Sequence, residues 1–228
     1  MRVRFVVILF FAAFVAAFPG LAQETADSPE KPQSQKERAS YIFGLNTGKM
    51  LSQQKFDFDL KYLMMGVEDS LSERSPRLTQ AEINETMDIL RGEMMKRLGK
   101  ENREEGAAYL AENGKKKGVV TTKSGLQYEI VREGTGPKPS SSSRVVVHYR
   151  GTLIDGKEFD SSFRRGEPAE FPVTGVISGW VEALQMMKKG AKWKLAIPSR
   201  LAYGKKGAGR MIGPNSTLLF EVELIDIK

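Results

Sequence analysis

Between Thr79 and Gly114 the sequence carries one continuous helical pattern, and its length limits what the chain can become. Thr79-Gln80-Ala81-Glu82 places a hydroxyl and a carboxylate three residues apart, where each can satisfy a free amide at a helix start. Ile83, Met87, Leu90, Met94 and Leu98 then recur at steps of three and four. Glu93 with Arg97 and Lys100 with Glu104 set opposite charges one turn apart. Asn113-Gly114 supplies the stop. A helix over 80–113 rises roughly 50 Å at 1.5 Å per residue. A compact domain of this size cannot bury it along its whole length. Gly92, Gly99 and Gly106 recur on it every seven residues, each costing helix stability relative to alanine. Either a close helix–helix crossing or coincidence accounts for them.

Upstream, Arg2 and Arg4 precede a nearly unbroken apolar run from Phe5 to Phe18, closed by Pro19-Gly20 and the small residues around Ala22. The run is too short for a bilayer core of about 30 Å, so residues 1–22 read as a secretory signal peptide. No cysteine follows to carry a lipid anchor, and the mature chain is expected to have no transmembrane segment. Residues 23–36 are polar, contain Pro29 and Pro32, and read as a disordered lead-in. Two short helices are expected next. One, over Lys36 to Gln53, shows Tyr41, Ile42, Leu45 and Gly48 on one face. The other, capped by Asp59, shows Leu60, Leu63, Met64, Val67 and Leu71. Stripes this thin do not make a core for a small domain, which points to pairing with a second copy. The methionines of this half suit either gap-filling in a core or an adaptable surface for unfolded chains.

Downstream the period changes to two. Leu126, Tyr128 and Ile130 alternate with polar residues, as do Trp193, Leu195 and Ile197, and Leu218, Phe220, Val222 and Leu224. Trp180 to Lys189 reads as one short helix with Trp180, Leu184 and Met187 inward and Gly190 as its stop. The fold class is therefore α+β, an antiparallel sheet around one helix preceded by an all-α region. From Val145 to Ser162 the chain reads strand, turn, strand. Asp155-Gly156 is expected to form a two-residue type I′ hairpin, and the second strand delivers Phe159 and Asp160 together.

The residue inventory removes several chemistries. With no cysteine and one histidine, neither a Cys–His pair nor a histidine-based zinc site is available. His148 alternates with Val147 and Tyr149, points away from their face, and is read as structural, which removes Ser–His–Asp catalysis as well. Gly204 to Arg210 is glycine-rich and basic but lacks phosphate-loop spacing, and reads as a loop. The net charge of +7 lies mostly downstream of residue 118, yet the basic residues are scattered. No nucleic acid is expected as partner. No cofactor or metal is expected either.

The string Val147-His148-Tyr149-x-Gly151-x-Leu153-x-Asp155-Gly156-x-x-Phe159-Asp160-Ser161-Ser162 closely resembles the FKBP-type peptidyl-prolyl isomerases. Val176-Ile177-x-Gly179-Trp180, Ala202-Tyr203-Gly204 and Ile212 to Glu221 are further matching motifs. The helical region and the junction from Gly114 to Gly136 resemble the Mip (macrophage infectivity potentiator) subgroup, in which two short helices interlock between subunits and one long helix carries the catalytic domain. The resemblance implies a helical dimerisation domain over 37–115 and an isomerase domain over 116–228. It assigns Tyr149, Phe159, Val176, Ile177, Trp180 and Phe220 to a proline pocket with Trp180 as floor. Asp160 and Tyr203 become a polar pair orienting the ligand, Arg165 steadies the aspartate, the Ile177 amide donates to the substrate carbonyl, and Ile212 covers the proline ring. In the roles so implied, Asp160, Tyr203, Phe159 and Trp180 are catalytic. Tyr149, Arg165, Val176, Ile177, Ile212 and Phe220 bind substrate. Ala169 stands where many members have an aromatic, which predicts a more open wall. Gly213 replaces the first proline of a common Ile-Pro-Pro run, which predicts a looser flap.

Such a pocket needs neither nucleophile nor metal. Rotation about an X–Pro bond meets a barrier of about 18–20 kcal/mol because amide resonance is broken. The twisted imide is less polarised than the planar one, so a dry apolar pocket favours it. The resemblance implies an exported isomerase acting on proline-containing unfolded polypeptides in the periplasm of a Gram-negative-type envelope, with the outer membrane or cell surface as further locations. It also implies a homodimer through the N-terminal helices and inhibition by macrolides of the rapamycin class. Two competing readings are a dimeric holdase chaperone with isomerisation secondary, and a surface interaction protein.

Overall fold

The computed structural model describes residues 31–53 and 56–228. The expected signal peptide over 1–22, and the lead-in as far as residue 30, lie outside the described residues. The chain divides into two compact units, one ending at Pro76 and the other running from Arg77 to Lys228.

The first unit holds α1 (Gln35–Gln53) and α2 (Leu60–Leu71). Helix α1 begins inside the expected lead-in. Ser34 Oγ accepts from the Glu37 amide at 3.2 Å, while the Glu37 carboxylate accepts from the Gln33 and Ser34 amides at 2.8 and 3.0 Å. This reciprocal cap is what starts the helix. Asp59 caps α2 as its position suggests, accepting from the Lys61 and Tyr62 amides. Neither helix fully buries an apolar side chain. Tyr41, Ile42, Phe43 and Leu45 on α1, and Leu60, Tyr62, Met64 and Leu71 on α2, are each more than half exposed. No helix among the described residues is long and apolar enough to cross a membrane.

The second unit opens with α3 (Gln80–Asn113), in which both bonds of the Thr79/Glu82 capping box are made. A seven-stranded antiparallel sheet follows, in the order β1 (Val119–Thr121), β2 (Gln127–Arg132), β6 (Lys192–Ile197), β7 (Leu218–Ile227), β3 (Arg144–Leu153) and β4 (Glu158–Ser161), with β5 (Ala169–Pro172) paired to β3. Between β4 and β5 lies the single turn α4 (Ser162–Arg165), and between β5 and β6 lies α5 (Ser178–Met186). The inward faces of β3, β6 and β7 bury Val145, Val147, Tyr149, Trp193, Leu195, Ile197, Phe220, Val222 and Leu224. Against them α5 lays Trp180, Ala183 and Leu184, with Met187 just beyond its end. The helix is shorter than expected because Met187 turns extended, three residues before Gly190 takes φ 91°.

Two local expectations are corrected. The β3–β4 hairpin is not a two-residue type I′ turn. Gly156 has φ 86° but Asp155 does not enter the left-handed region, and the Gly156 amide donates to Leu153 O at 3.0 Å. A three-residue loop with a glycine bulge needs only one such residue. Ile130 is 39 % exposed, whereas its strand neighbour Gln127 is buried. The cause is α3: Gln127 donates to Leu110 O at 2.8 Å and accepts from Asn113 Nδ2 at 3.0 Å, so the helix end covers that side of β2. The glycine repeat, open between a helix–helix crossing and coincidence, has another source at two of its members. Gly99 and Gly106 are buried against the loop Gly213–Thr217, while a side chain at Gly92 would meet nothing.

Candidate active site

Strand alternation and two short turns bring the predicted residues to one side of the sheet. Tyr149 on β3 and Phe220 on β7 face inward from adjacent strands, their side chains on the face that carries α5. Phe159 and Asp160 come from β4. Trp180 enters from the first turn of α5. Together with Phe171, Gly175, Val176, Ile177 and Tyr203 they line a cleft of about 370 Å³.

The rings meet edge to face, the arrangement their quadrupoles favour. Trp180 lies 5.2 Å from Tyr149 and 5.2 Å from Phe220, and Phe159 lies 5.5 Å from Phe220. Trp180 is only 4 % exposed and forms the floor; its indole N–H has no hydrogen-bond partner among the described residues. Gly151 permits this packing, since a Cβ there would come within 2.7 Å of both Phe159 and Phe220.

One corner of the cup is polar. Asp160 Oδ2 accepts from the Tyr149 hydroxyl at 2.5 Å; Oδ1 accepts from Arg165 Nη1 at 2.6 Å and from the Ser161 amide at 2.8 Å. Arg165 Nη2 also donates to the Tyr149 hydroxyl at 2.8 Å, closing a triangle. Burial alone would raise the Asp160 pKa, but the Tyr149 hydroxyl, Arg165 and the Ser161 amide outweigh it and hold the carboxyl below its ordinary value. Tyr149 is pushed up, by burial first and then by its bond to Asp160, against the opposing Arg165. A carboxylate so satisfied is a poor proton acceptor and a well-fixed charge. Ile177 ends the approach to α5, and its N–H donates to no backbone group among the described residues, while its carbonyl accepts from Trp180 and Val181.

Eight of the ten predicted residues thus line the cleft, counted from its lining set. Arg165 stands behind Asp160 rather than in the wall, and Ile212 packs at the edge of the core on the flap from Tyr203 to Ile212. Phe171 was missed. It lies two residues after Ala169 on the same strand face, 6.1 Å from Trp180 and 6.0 Å from Tyr149, so the wall expected to be open is closed by this ring. The alternation of β5 was the signal that could have found it. Ser162 was also unassigned. Its hydroxyl accepts from the Tyr149 amide at 2.8 Å and donates to the Tyr149 carbonyl at 3.2 Å, pinning the strand that carries Tyr149. His148 lies outside the cleft, 3.0 Å from Ser162 Oγ and stacked on Phe163. Gly213 lies against α3, where a Cβ would come within 3.0 Å of Asn102 and 3.1 Å of Leu98.

Comparison with known proteins agrees with this geometry. Residues 136–225 match the family described as FKBP-type peptidyl-prolyl cis-trans isomerase, and residues 36–130 match the domain amino terminal to it. The chain is 47 % identical over 198 residues to the FKBP-type 22 kDa peptidyl-prolyl cis-trans isomerase of Escherichia coli, covering 83 % of this chain and 94 % of that one. It is 40 % identical over 223 residues to the outer membrane protein MIP of Legionella longbeachae, covering 93 % and 96 %. The crystal structure of FkpA from Escherichia coli superposes with a TM-score of 0.64 at 40 % identity, covering 86 % of this chain and 98 % of that one. The chain belongs to the FKBP-type peptidyl-prolyl cis-trans isomerases, and its substrates are proline-containing polypeptides.

Proposed function

We propose that the cup lined by Tyr149, Phe159, Phe171, Val176, Ile177, Trp180 and Phe220 receives the proline ring and is the catalytic site. The observation that carries this is the ring arrangement around a buried Trp180, with one polar corner at Asp160. Apolar walls disfavour the planar, polarised imide and favour its twisted form. The Ile177 amide holds the carbonyl of the residue before proline. Asp160, locked by Tyr149 and Arg165, and Tyr203 at the mouth set the direction in which that carbonyl turns. No side chain exchanges a proton with the substrate. A protease-coupled assay on X–Pro tetrapeptides tests the assignment. Asp160→Ala should lose most activity while the domain stays folded, and a fully active Trp180→Ala would refute the cup as the site. Macrolides of the rapamycin class are expected to compete with the peptide for the same walls.

The exposed apolar faces of α1 and α2 support a homodimer through these helices, with the burial each lacks supplied by a second copy. Sedimentation of the full chain checks this, and a monomer at micromolar concentration would sink it. The charged start and short apolar run of residues 1–22 support export to the periplasm or outer membrane, one relative being named for the latter location. Amino-terminal sequencing of envelope-extracted protein, beginning near Gln23, would bear this out.

A further inference from the structure

The loop Gly213–Thr217 joins Ile212 on the flap to β7, the strand that carries Phe220, and α3 grips this loop along one helical face. Asn102 Nδ2 donates to Pro214 O at 2.8 Å and to Ser216 Oγ at 3.3 Å. In return Asn215 Nδ2 donates to Gly99 O at 2.8 Å. Gly99 and Gly106, two helical turns apart, make the approach possible. A Cβ at Gly99 would come within 3.1 Å of Pro214 and 3.2 Å of the Asn215 amide, and one at Gly106 would overlap Thr217 Oγ1.

The loop is tied in turn to both ends of the flap. The Asn215 amide donates to Gly204 O at 2.8 Å, one residue after Tyr203, and Asn215 holds φ 57°, a conformation few non-glycine residues adopt. Ser216 Oγ donates to Gly213 O at 2.9 Å, next to Ile212. The flap has little to fix it from within. Gly204, Gly207 and Gly209 all sit at positive φ, and its cross-flap backbone bonds are the two between Ala208 and Ile212.

We propose that α3 is a positioning element of the isomerase site. Through Asn102, Gly99 and Gly106 it sets the pose of the flap, and so how tightly Tyr203 and Ile212 close over a bound proline. This rests on the cup being the substrate site. Asn102 and Asn215 are positioning residues: neither is among those lining the cleft. The helix is thereby part of the specificity of the enzyme.

The test uses the full chain with Asn102→Ala, Asn102→Asp, Gly106→Val and, as a control, Gly92→Ala. Both Asn102 variants lose the donor to Pro214 O. Each should raise KM for an X–Pro peptide by roughly fivefold, the scale of one hydrogen bond, with kcat changed less. Amide exchange should accelerate at Ile212 and Asn215 and stay unchanged at Val222 in the central sheet. Gly106→Val should show the same pattern more strongly, and Gly92→Ala should behave as the parent. Unchanged KM together with unchanged exchange in both Asn102 variants would overturn the proposal, as would a fall in kcat with exchange unaltered. Failure of the cup assignment would instead appear as full activity in Trp180→Ala, while exchange at Ile212 and Asn215 would still report the grip of α3.

Discussion

The two units of this chain treat the same apolar residue types in opposite ways. In the sheet unit, Leu126, Val145, Val147, Leu184, Met187, Ile197, Leu218 and Leu224 are essentially inaccessible. In α1 and α2, Tyr41, Ile42, Leu45, Leu60, Met64 and Leu71 stand largely in water. At about 25 cal/mol per Å² of buried apolar surface, the first arrangement stabilises a fold and the second leaves that stabilisation unused. The difference teaches that the sheet unit carries its own buried core and the whole lining of the cleft, whereas α1 and α2 leave their apolar faces uncovered among the described residues.

The sharpest way to break that comparison is to separate the halves. A chain beginning at Arg77 is expected to be entirely monomeric by sedimentation yet to retain peptide isomerisation within about twofold, because each group lining the cup lies in residues 77–228. A dimeric fragment would move the self-association surface into the sheet unit. A smaller effect is expected from Trp180→Ala. It should cost the sheet unit about 3–5 kcal/mol in denaturant unfolding, the range for a buried aromatic, while dimerisation is unchanged. Asp160→Ala should leave unfolding nearly as in the parent and lower kcat/KM by roughly tenfold or more, the scale of hydrogen bonds to a charged group. The smallest effect concerns pH. Because the folded pKa of Asp160 is lowered, the stability its ionised form contributes is complete above its unfolded value, in the ordinary carboxylate range, and is lost only as acid carries the pH down through the folded pKa. Between about pH 6 and 9 the rate should therefore be flat, and a steep profile near pH 6.5, the ordinary histidine range, would implicate His148 instead.

Much of this was legible in the sequence because local chemistry and global fold agree. The Thr79/Glu82 box and Asn113-Gly114 bound α3 where the capping pattern placed them, since caps act within four residues. The Tyr149, Phe159, Asp160 and Trp180 constellation could be read because its motifs are long and fixed in spacing. What escaped depends on contacts between distant segments. Gln127 reads as an outward strand residue until the end of α3 covers it. Ile130 reads as core yet stands 39 % exposed. The repeat of Gly99 and Gly106 announces a close approach, but nothing in the repeat says that the approaching group is the loop at Pro214 and Thr217. Phe171 was hidden by attention to Ala169, although strand alternation puts the two on one side.

The two tryptophans have a consequence of another kind. Trp180 floors the cup and Trp193 stacks on Tyr128 at 4.4 Å; both indoles are buried without a hydrogen-bond partner, and both lie in the sheet unit. Indole emission from this chain is therefore a report on one half of it, and the short wavelength typical of a dry environment will persist as long as that half is folded. Helical ellipticity is shared: α1 and α2 contribute from the first unit, and α3 contributes from the unit that holds the tryptophans. If the halves melt independently, the two signals will trace separate curves in a single sample, which is the direct departure from two-state unfolding. If they coincide, the two units unfold as one cooperative system. Two residues thus provide an unlabelled optical measure of cooperativity between the parts.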